Sequence, residues 1–311
     1  MTPIEQSIKR KIESVGVPLK DWDIQINYGI KTGYNDAFII TRTKRDEILA
    51  NCKTEEERSR TDEIIRPILR GRDIKRYGYE WANLYLIATF PARHYNIDSF
   101  PSVKKYLLSF AYDSLLENGN DWVAKNYLAE FCKQKLEQTG QEIVINGKYV
   151  LDPQGHKEKS RKRTNNKWFE TQDSISYWED FSRPKIIWKR IGSILRFSYD
   201  ERGALGLDST CIATGAHIPY ICCVLNSLMG HYLLKDSPKT GTGDLLVSVQ
   251  AIDPVKVPYS EESERKLTAL LQKKLYQDQI SIDEDVNRIV FSLYGLQNSE
   301  HHHPVSRPKI Q

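Results

Sequence analysis

Apolar residues recur three or four apart at Ile4, Ile8, Ile12 and Val15, the spacing of one helical face, and Gly16 closes the run. The pattern predicts a lead helix over residues 4–15. After Asp21-Trp22 the period shortens: Ile24-Gln25-Ile26-Asn27-Tyr28 alternates like a half-buried strand. Gly29 and Gly33 then bracket a turn before a second predicted strand at Ala37-Phe38-Ile39-Ile40. Residues 45–65 are dense in Glu, Arg and Lys with sparse apolar positions and predict a solvated helical hairpin. Residues 84–90 read as an apolar strand stopped by Pro91, and residues 103–117 have helical period with Pro101 as a start signal. Residues 134–166 are polar and irregular, an insertion whose Asn146-Gly147 step predicts a hairpin.

Order returns with a helix-like segment over residues 168–181, a strand at 185–188 and another at 195–199. Residues 218–234 are almost continuously apolar and predict one buried core helix. A strand within residues 245–257 follows, bounded by Pro254 and Pro258. Two amphipathic helices then close the chain, one on Leu267, Leu270, Leu271 and Leu275, the other on Ile289, Val290, Leu293 and Leu296. The fold class is therefore α+β: a mixed, mainly antiparallel twisted sheet with helices, followed by a small helical annex. The expected division is a lead helix and linker at 1–20, a main domain at 21–259 with an insertion at about 134–166, and a C-terminal helical annex and tail at 260–311.

With 311 residues, 40% apolar and 28% charged, the chain can bury one large core or two modest ones. It has no apolar run of about 18 residues, and its first residues lack a basic-then-apolar layout, so the expectation is a cytoplasmic protein without a membrane partner. Five cysteines without CxxC spacing argue against a disulfide framework or structural zinc. A net charge of +4 is too small to mark a nucleic-acid binder, so clustering has to carry that argument.

Several features resemble catalytic motifs and fall short of them. An adenine methyltransferase needs a glycine-rich turn for S-adenosylmethionine and an Asn- or Asp-Pro-Pro-aromatic segment for the flipped base. Here Val255-Lys256-Val257 separates Asp253-Pro254 from Pro258-Tyr259. Thr240-Gly241-Thr242-Gly243-Asp244 lacks the third glycine and the Lys-Ser/Thr of a nucleotide loop and reads as a flexible turn. Asp152-Pro153 and Glu158-Lys159 are badly spaced for a nuclease metal site. His217 and His231 read as packed or capping histidines. No catalytic, cofactor-binding or metal residue is assigned in this chain.

Three clusters carry chemistry. On the glycine-bounded loop, Lys31, Thr32, Tyr34 and Asn35 offer a cation, a hydroxyl, an aromatic ring and an amide to a polyanion; a plain hairpin has the same composition. The second cluster, Arg70, Arg72, Lys75 and Arg76, places four cations in seven residues, fit for phosphates or guanine edges, unless Asp73 neutralises one of them. The third is Lys157-Glu158-Lys159-Ser160-Arg161-Lys162-Arg163-Thr164-Asn165-Asn166-Lys167-Trp168, six cations against one acid. A solvated charge run would also look like this, but the interleaved amides and the aromatic ring that follows favour nucleic acid.

Taken in order, Gly29-Ile30-Lys31-Thr32-Gly33-Tyr34-Asn35-Asp36-Ala37-Phe38, Leu69-Arg70-Gly71-Arg72-Asp73-Ile74-Lys75-Arg76, Lys167-Trp168-Phe169-Glu170 with Pro184-Lys185-Ile186, and Val224-Leu225-Asn226-Ser227 resemble motifs of the TaqI-like C-terminal specificity domain. Asp285-Val286-Asn287-Arg288-Ile289-Val290-Phe291-Ser292-Leu293-Tyr294-Gly295-Leu296 is similar to the helix that closes many type IIG enzymes. The resemblance makes residues 21–259 a DNA target-recognition domain of a restriction-modification system. It implies double-stranded DNA as partner, together with an adenine-specific DNA methyltransferase domain or subunit. S-adenosylmethionine, and Mg²⁺ where a nuclease is attached, would belong to that catalytic part, which this chain lacks. The DNA-binding residues it implies are Lys31, Thr32, Tyr34, Asn35, Arg70, Arg72, Lys75, Arg76, Arg161, Lys162, Arg163, Thr164, Asn165, Asn166, Lys167, Trp168 and Lys185. Two other readings stay open: a complete Mg²⁺-dependent endonuclease with an unrecognised site, and a defence-system protein-interaction module without DNA binding.

Overall fold

The computed structural model describes residues 2–108, 137, 140, 145–146, 149–150, 165–167 and 169–301. The chain divides into two units, one of Met1–Gly29, Leu69–Ala82 and Glu179–Gln311, the other of Ile30–Ile68 and Asn83–Trp178. The class is α+β with mostly antiparallel sheets, as the hydrophobic pattern predicts. The division differs from the one drawn on the sequence. The lead helix and the C-terminal helices belong to one unit with a sheet, because their apolar faces share its core.

In the first unit, strands Phe197–Asp200, Lys185–Lys189, Thr210–Gly215 and Ile24–Tyr28 pair antiparallel in that order. The first three are buried along almost their whole length, so apolar residues run on where a half-exposed strand would alternate. Ile186, Trp188, Phe197, Tyr199, Cys211 and Ala213 join one core with the helix Ile218–Asn226. The Trp188 indole donates to the Val247 carbonyl at 2.8 Å, which satisfies its single polar atom inside that core. Helices Glu261–Tyr276 and Asp283–Leu293 add Leu267, Leu271, Val286, Val290 and Phe291 to the core, and the lead helix Pro3–Val15 adds Ile8.

The predicted helix over 218–234 is two helices, Ile218–Asn226 and Leu228–Leu234. Between them Ser227 is extended, donates to the Val224 carbonyl at 2.6 Å and accepts from the Gly230 amide at 3.0 Å. Its hydroxyl thus ends one helix and caps the next, a break that apolar periodicity cannot register. Asn226 turns its amide onto the edge strand. Its Nδ2 donates to the Phe197 carbonyl at 2.7 Å and its Oδ1 accepts from the Phe197 amide at 3.1 Å.

His231 lies on the second of these helices with Nε2 buried and unpartnered among the described residues. Burial, helped by the Arg76 cation, lowers its pKa from 6.5 to about 4. The unfolded chain therefore binds the extra proton first. Stability is full above pH 6.5 and is lost as pH falls toward 4. At about 1.4 kcal/mol per unit the loss is ~3 kcal/mol. Urea denaturation between pH 7 and 4 should show a shallower decline for His231→Asn than for the parent, and identical slopes would contradict the assignment.

In the second unit, strand Leu84–Ile87 pairs antiparallel with Ile39–Thr41 and with Ile65–Leu69. Helices Arg42–Ala50 and Glu55–Ile64 form the predicted hairpin, N-capped by Thr41 and Thr54. Buried Glu57 accepts from the Ser102 amide at 3.2 Å and hydroxyl at 2.8 Å, which fixes the start of helix Pro101–Leu108 to the hairpin. The remainder of the helix expected over 103–117 lies outside the described residues. So does most of the 134–166 insertion, within which Ile145–Asn146 and Tyr149–Val150 pair as the Asn-Gly signal predicts.

Two expectations for this unit change. The strand expected at Ala37 begins at Ile39, because Asn35–Phe38 is a helical turn in which the Ala37 and Phe38 amides both bond the Tyr34 carbonyl. The helix expected over 168–181 is replaced by bends and a short 3-10 turn, with Ile175 left-handed at φ 54°. Cys52, Cys211, Cys222 and Cys223 are free thiols. Among the described residues no helix is long and apolar enough to cross a membrane.

Candidate nucleic-acid interface

Within the second unit the fold brings the first cluster and residues 165–167 of the third to one surface. The Asn166 amide donates to the carbonyls of Thr171 at 2.9 Å and Gln172 at 2.7 Å, tying Asn166 to residues 171–172. Residues 172–173 run beside the glycine loop: the Gln172 amide bonds the Thr32 carbonyl at 3.0 Å, and the Lys31 amide bonds the Asp173 carboxylate at 3.2 Å. Thr32 is buried, with its hydroxyl donating to Asn35 Oδ1 at 2.5 Å and accepting from the Tyr34 amide at 3.1 Å. Gly33 takes φ 80°, which lets the loop turn sharply enough for this. Thr32 and Asn166 therefore shape the surface, while Lys31, Asn35, Asn165 and Lys167 stand exposed on it. Tyr34 is half-buried, and the Lys167 ammonium lies 5.8 Å from the Phe169 ring centre. Arg161, Lys162, Arg163, Thr164 and Trp168 lie outside the described residues.

In the first unit the second cluster separates into structural and free cations. Arg70 grips Asp73 with two nitrogens, Nη2 to Oδ1 at 2.7 Å and Nε to Oδ2 at 3.0 Å, while Asp73 also accepts the Arg70 amide at 2.8 Å. Arg76 bridges Asp283 and the Asn226 carbonyl, both at 2.7 Å, and Lys75 pairs with Glu80 at 3.2 Å. Arg70 and Arg76 are thus built into the fold, contrary to the expectation that they face DNA. Arg72 differs: it is exposed and has no hydrogen bond or ion pair among the described residues.

Lys185 is the clearest correction. It is wholly buried, opposite Asp200 in the antiparallel register, with Nζ 2.5 Å from the carboxylate and 2.7 Å from the Phe181 carbonyl. Asp200 also accepts from the Tyr79 hydroxyl and the Arg202 and Ala204 amides. Every lone pair is engaged, so the ammonium is a cross-strand tie with no access to a phosphate.

The cations that sequence reasoning missed sit where that strand ends. Lys189 is exposed and unpaired among the described residues. The Arg190 guanidinium lies 5.7 Å from the ring centre of half-exposed Tyr28, with Nε buried and unpartnered among the described residues. The Gly71 amide bonds the Ser209 hydroxyl at 3.1 Å and the Arg190 amide bonds the Ser209 carbonyl, so Arg72, Lys189 and Arg190 gather at one end of the sheet. A Cβ on Gly71 would stand 2.9 Å from Lys189 Cγ, so the glycine and the lysine stem are neighbours. Two cations at the exit of an apolar strand were the available signal.

Neither decoy of a methyltransferase centre fits its group. Strand Lys256–Val257 separates the Asp-Pro and Pro-Tyr steps, the Pro258 carbonyl accepts from buried Tyr220, and Tyr259 bonds Glu264. The Thr240–Asp244 stretch closes on itself, the Thr240 amide bonding the Asp244 carbonyl at 2.8 Å.

Residues 66–246 match the TaqI-like C-terminal specificity domain. The chain belongs to this family. The match takes in the arginine cluster at 70–76, residues 165–167 and Asn226 of the specificity domain; the glycine loop at 29–33 and helix Asp283–Leu293 lie beyond it. Solved enzymes that share its fold include two. One is the type IIL restriction-modification enzyme MmeI, solved in complex with DNA, at TM-score 0.53 and 11% identity over 91% of this chain and 34% of that one. The other is the type IIG restriction endonuclease BpuSI, at TM-score 0.53 and 11% identity over 97% of this chain and 32% of that one. The specificity domain thus spans about a third of either enzyme. No curated protein matches it.

Proposed function

We propose that this specificity domain reads a DNA sequence for a restriction-modification enzyme, directing an adenine N6-methyltransferase, and a nuclease where one is attached, that resides in another domain or subunit. Family membership carries the reading, and the sorting of cations into buried and free sets supports it. Each unit offers cations of its own to phosphates: Lys31 and Lys167 in the second, Arg72 and Lys189 in the first. Asn35, Asn165 and Tyr34, set on a loop whose backbone is fixed by Thr32 and Asn166, offer paired donors, acceptors and a ring to base edges. The methyltransferase then acts on an adenine turned out of the helix, with S-adenosylmethionine held on its own side.

Selection from a randomised duplex pool tests this directly, with the purified chain alone and with a methyltransferase partner. One enriched sequence in either arm is the expected result. Pools that stay random in both arms contradict the proposal, and so does cleavage of mixed-sequence DNA by the chain alone with Mg²⁺.

A further inference from the structure

A cleft of about 320 Å³ opens within the second unit, lined by none of the loop residues named above. Its floor is apolar: Ile64, Ala88, Phe90 and Phe100 are all buried. Its rim carries three arginines, Arg60, Arg66 and Arg93, against one acid, Glu63. The Arg93 guanidinium lies 3.7 Å from the Trp178 ring centre and 5.4 Å from that of Tyr95. Tyr95 in turn meets Phe100 edge-on at 5.6 Å.

The backbone holds this geometry in place. Pro91–Arg93 is a 3-10 turn ended by left-handed His94, and the Ala92 amide bonds the Ser174 carbonyl at 3.0 Å. The Trp178 amide bonds the Ile175 carbonyl. Arg60 leaves helix Glu55–Ile64 and donates to the Ser99 carbonyl at 3.4 Å.

The combination selects a ligand class. An apolar floor walled by aromatic rings takes a flat ring, and an excess of guanidinium groups takes an anion attached to it. The volume falls within the range of about 300–1,000 Å³ usual for small-ligand sites and is too narrow for a stacked base pair. We infer that this cleft binds a single unpaired nucleotide, its base on the Phe90 and Trp178 side and its phosphate on Arg60, Arg66 and Arg93. The nucleotide can come from a DNA strand opened at one position or from free solution; the DNA source rests on the function proposed above, and the free source does not.

The test measures three ligands on the whole chain: an intact duplex, the same duplex with one unpaired nucleotide, and free deoxynucleoside monophosphates. Stacking of one base on an aromatic side chain is worth about 1–3 kcal/mol, so the interrupted duplex should bind at least about fivefold tighter than the intact one. Arg93→Gln and Arg60→Gln should each remove that gain and leave intact-duplex affinity unchanged. Arg60 is exposed, so its variant reports even where Arg93→Gln fails to fold. Equal affinities for the two duplexes, or parallel losses on both, overturn the DNA source.

If the chain binds no duplex, the function proposed above fails and the free-nucleotide arm decides alone. The indole N–H resonance of Trp178, identified by its loss in Trp178→Phe, should then shift with a deoxynucleoside monophosphate more than with the deoxynucleoside or with inorganic phosphate. No shift with any of the three overturns the inference.

Discussion

Asp200→Ala is expected to lower the unfolding free energy by about 3–5 kcal/mol, because it leaves the Lys185 ammonium charged and uncompensated among buried strands. It also strips partners from the Tyr79 hydroxyl and two backbone amides. Replacing both ions, as in Lys185→Met with Asp200→Leu, should cost less than Asp200→Ala alone, since no unpaired charge then stays inside. Urea denaturation of the three proteins measures this. A loss below about 1 kcal/mol in Asp200→Ala would mean that water reaches the pair and that Lys185 is less enclosed than described.

The second large effect separates exposed from buried cations in DNA binding. Arg72→Ala with Lys189→Ala should reduce the slope of log K against log salt by about two and weaken cognate and unrelated duplexes in parallel. Asn35→Ala should instead cost about 1–3 kcal/mol on the selected sequence alone. Filter binding across a salt series on both duplexes reads out all of these. An unchanged slope in the double variant would remove the sheet-end cations from the interface.

These two predictions concern lysines that look alike in the sequence. Lys185 and Lys189 flank the same apolar strand, Ile186-Ile187-Trp188 between them. What distinguishes them is Asp200, brought opposite Lys185 by a hairpin whose register is set by side chains on both strands. Local pattern registers neither the partner nor its register. The Arg70–Asp73 pair was foreseeable as an alternative because its members are three residues apart. Arg76–Asp283 was not, since its members are joined only by the folded core.

The same distinction holds for the elements. Elements with a strong period were legible from sequence, including Ile24–Tyr28 and the two C-terminal helices, and the helical hairpin was legible from its density of charge. The break at Ser227 was not, because one hydroxyl overrides an apolar run on both sides. The arginine cleft also escaped notice. Arg60, Arg66 and Arg93 come from a helix, a strand and a turn, and no window of sequence contains them with Trp178.

The order of segments also governs what can be exchanged. The chain passes between the two units at 29–30, 68–69, 82–83 and 178–179, and both of its ends belong to the first. No trimming from either end removes the second unit, and no single backbone cut releases it. Transplanting the surface of Lys31, Asn35, Asn165 and Lys167 into a related protein would require two separate cassettes, 30–68 and 83–178, joined at four seams. Each cassette leaves the first unit's sequence at one point and rejoins it at another. Under the function proposed above, a change of target sequence would be made in these two cassettes and not at either end of the chain.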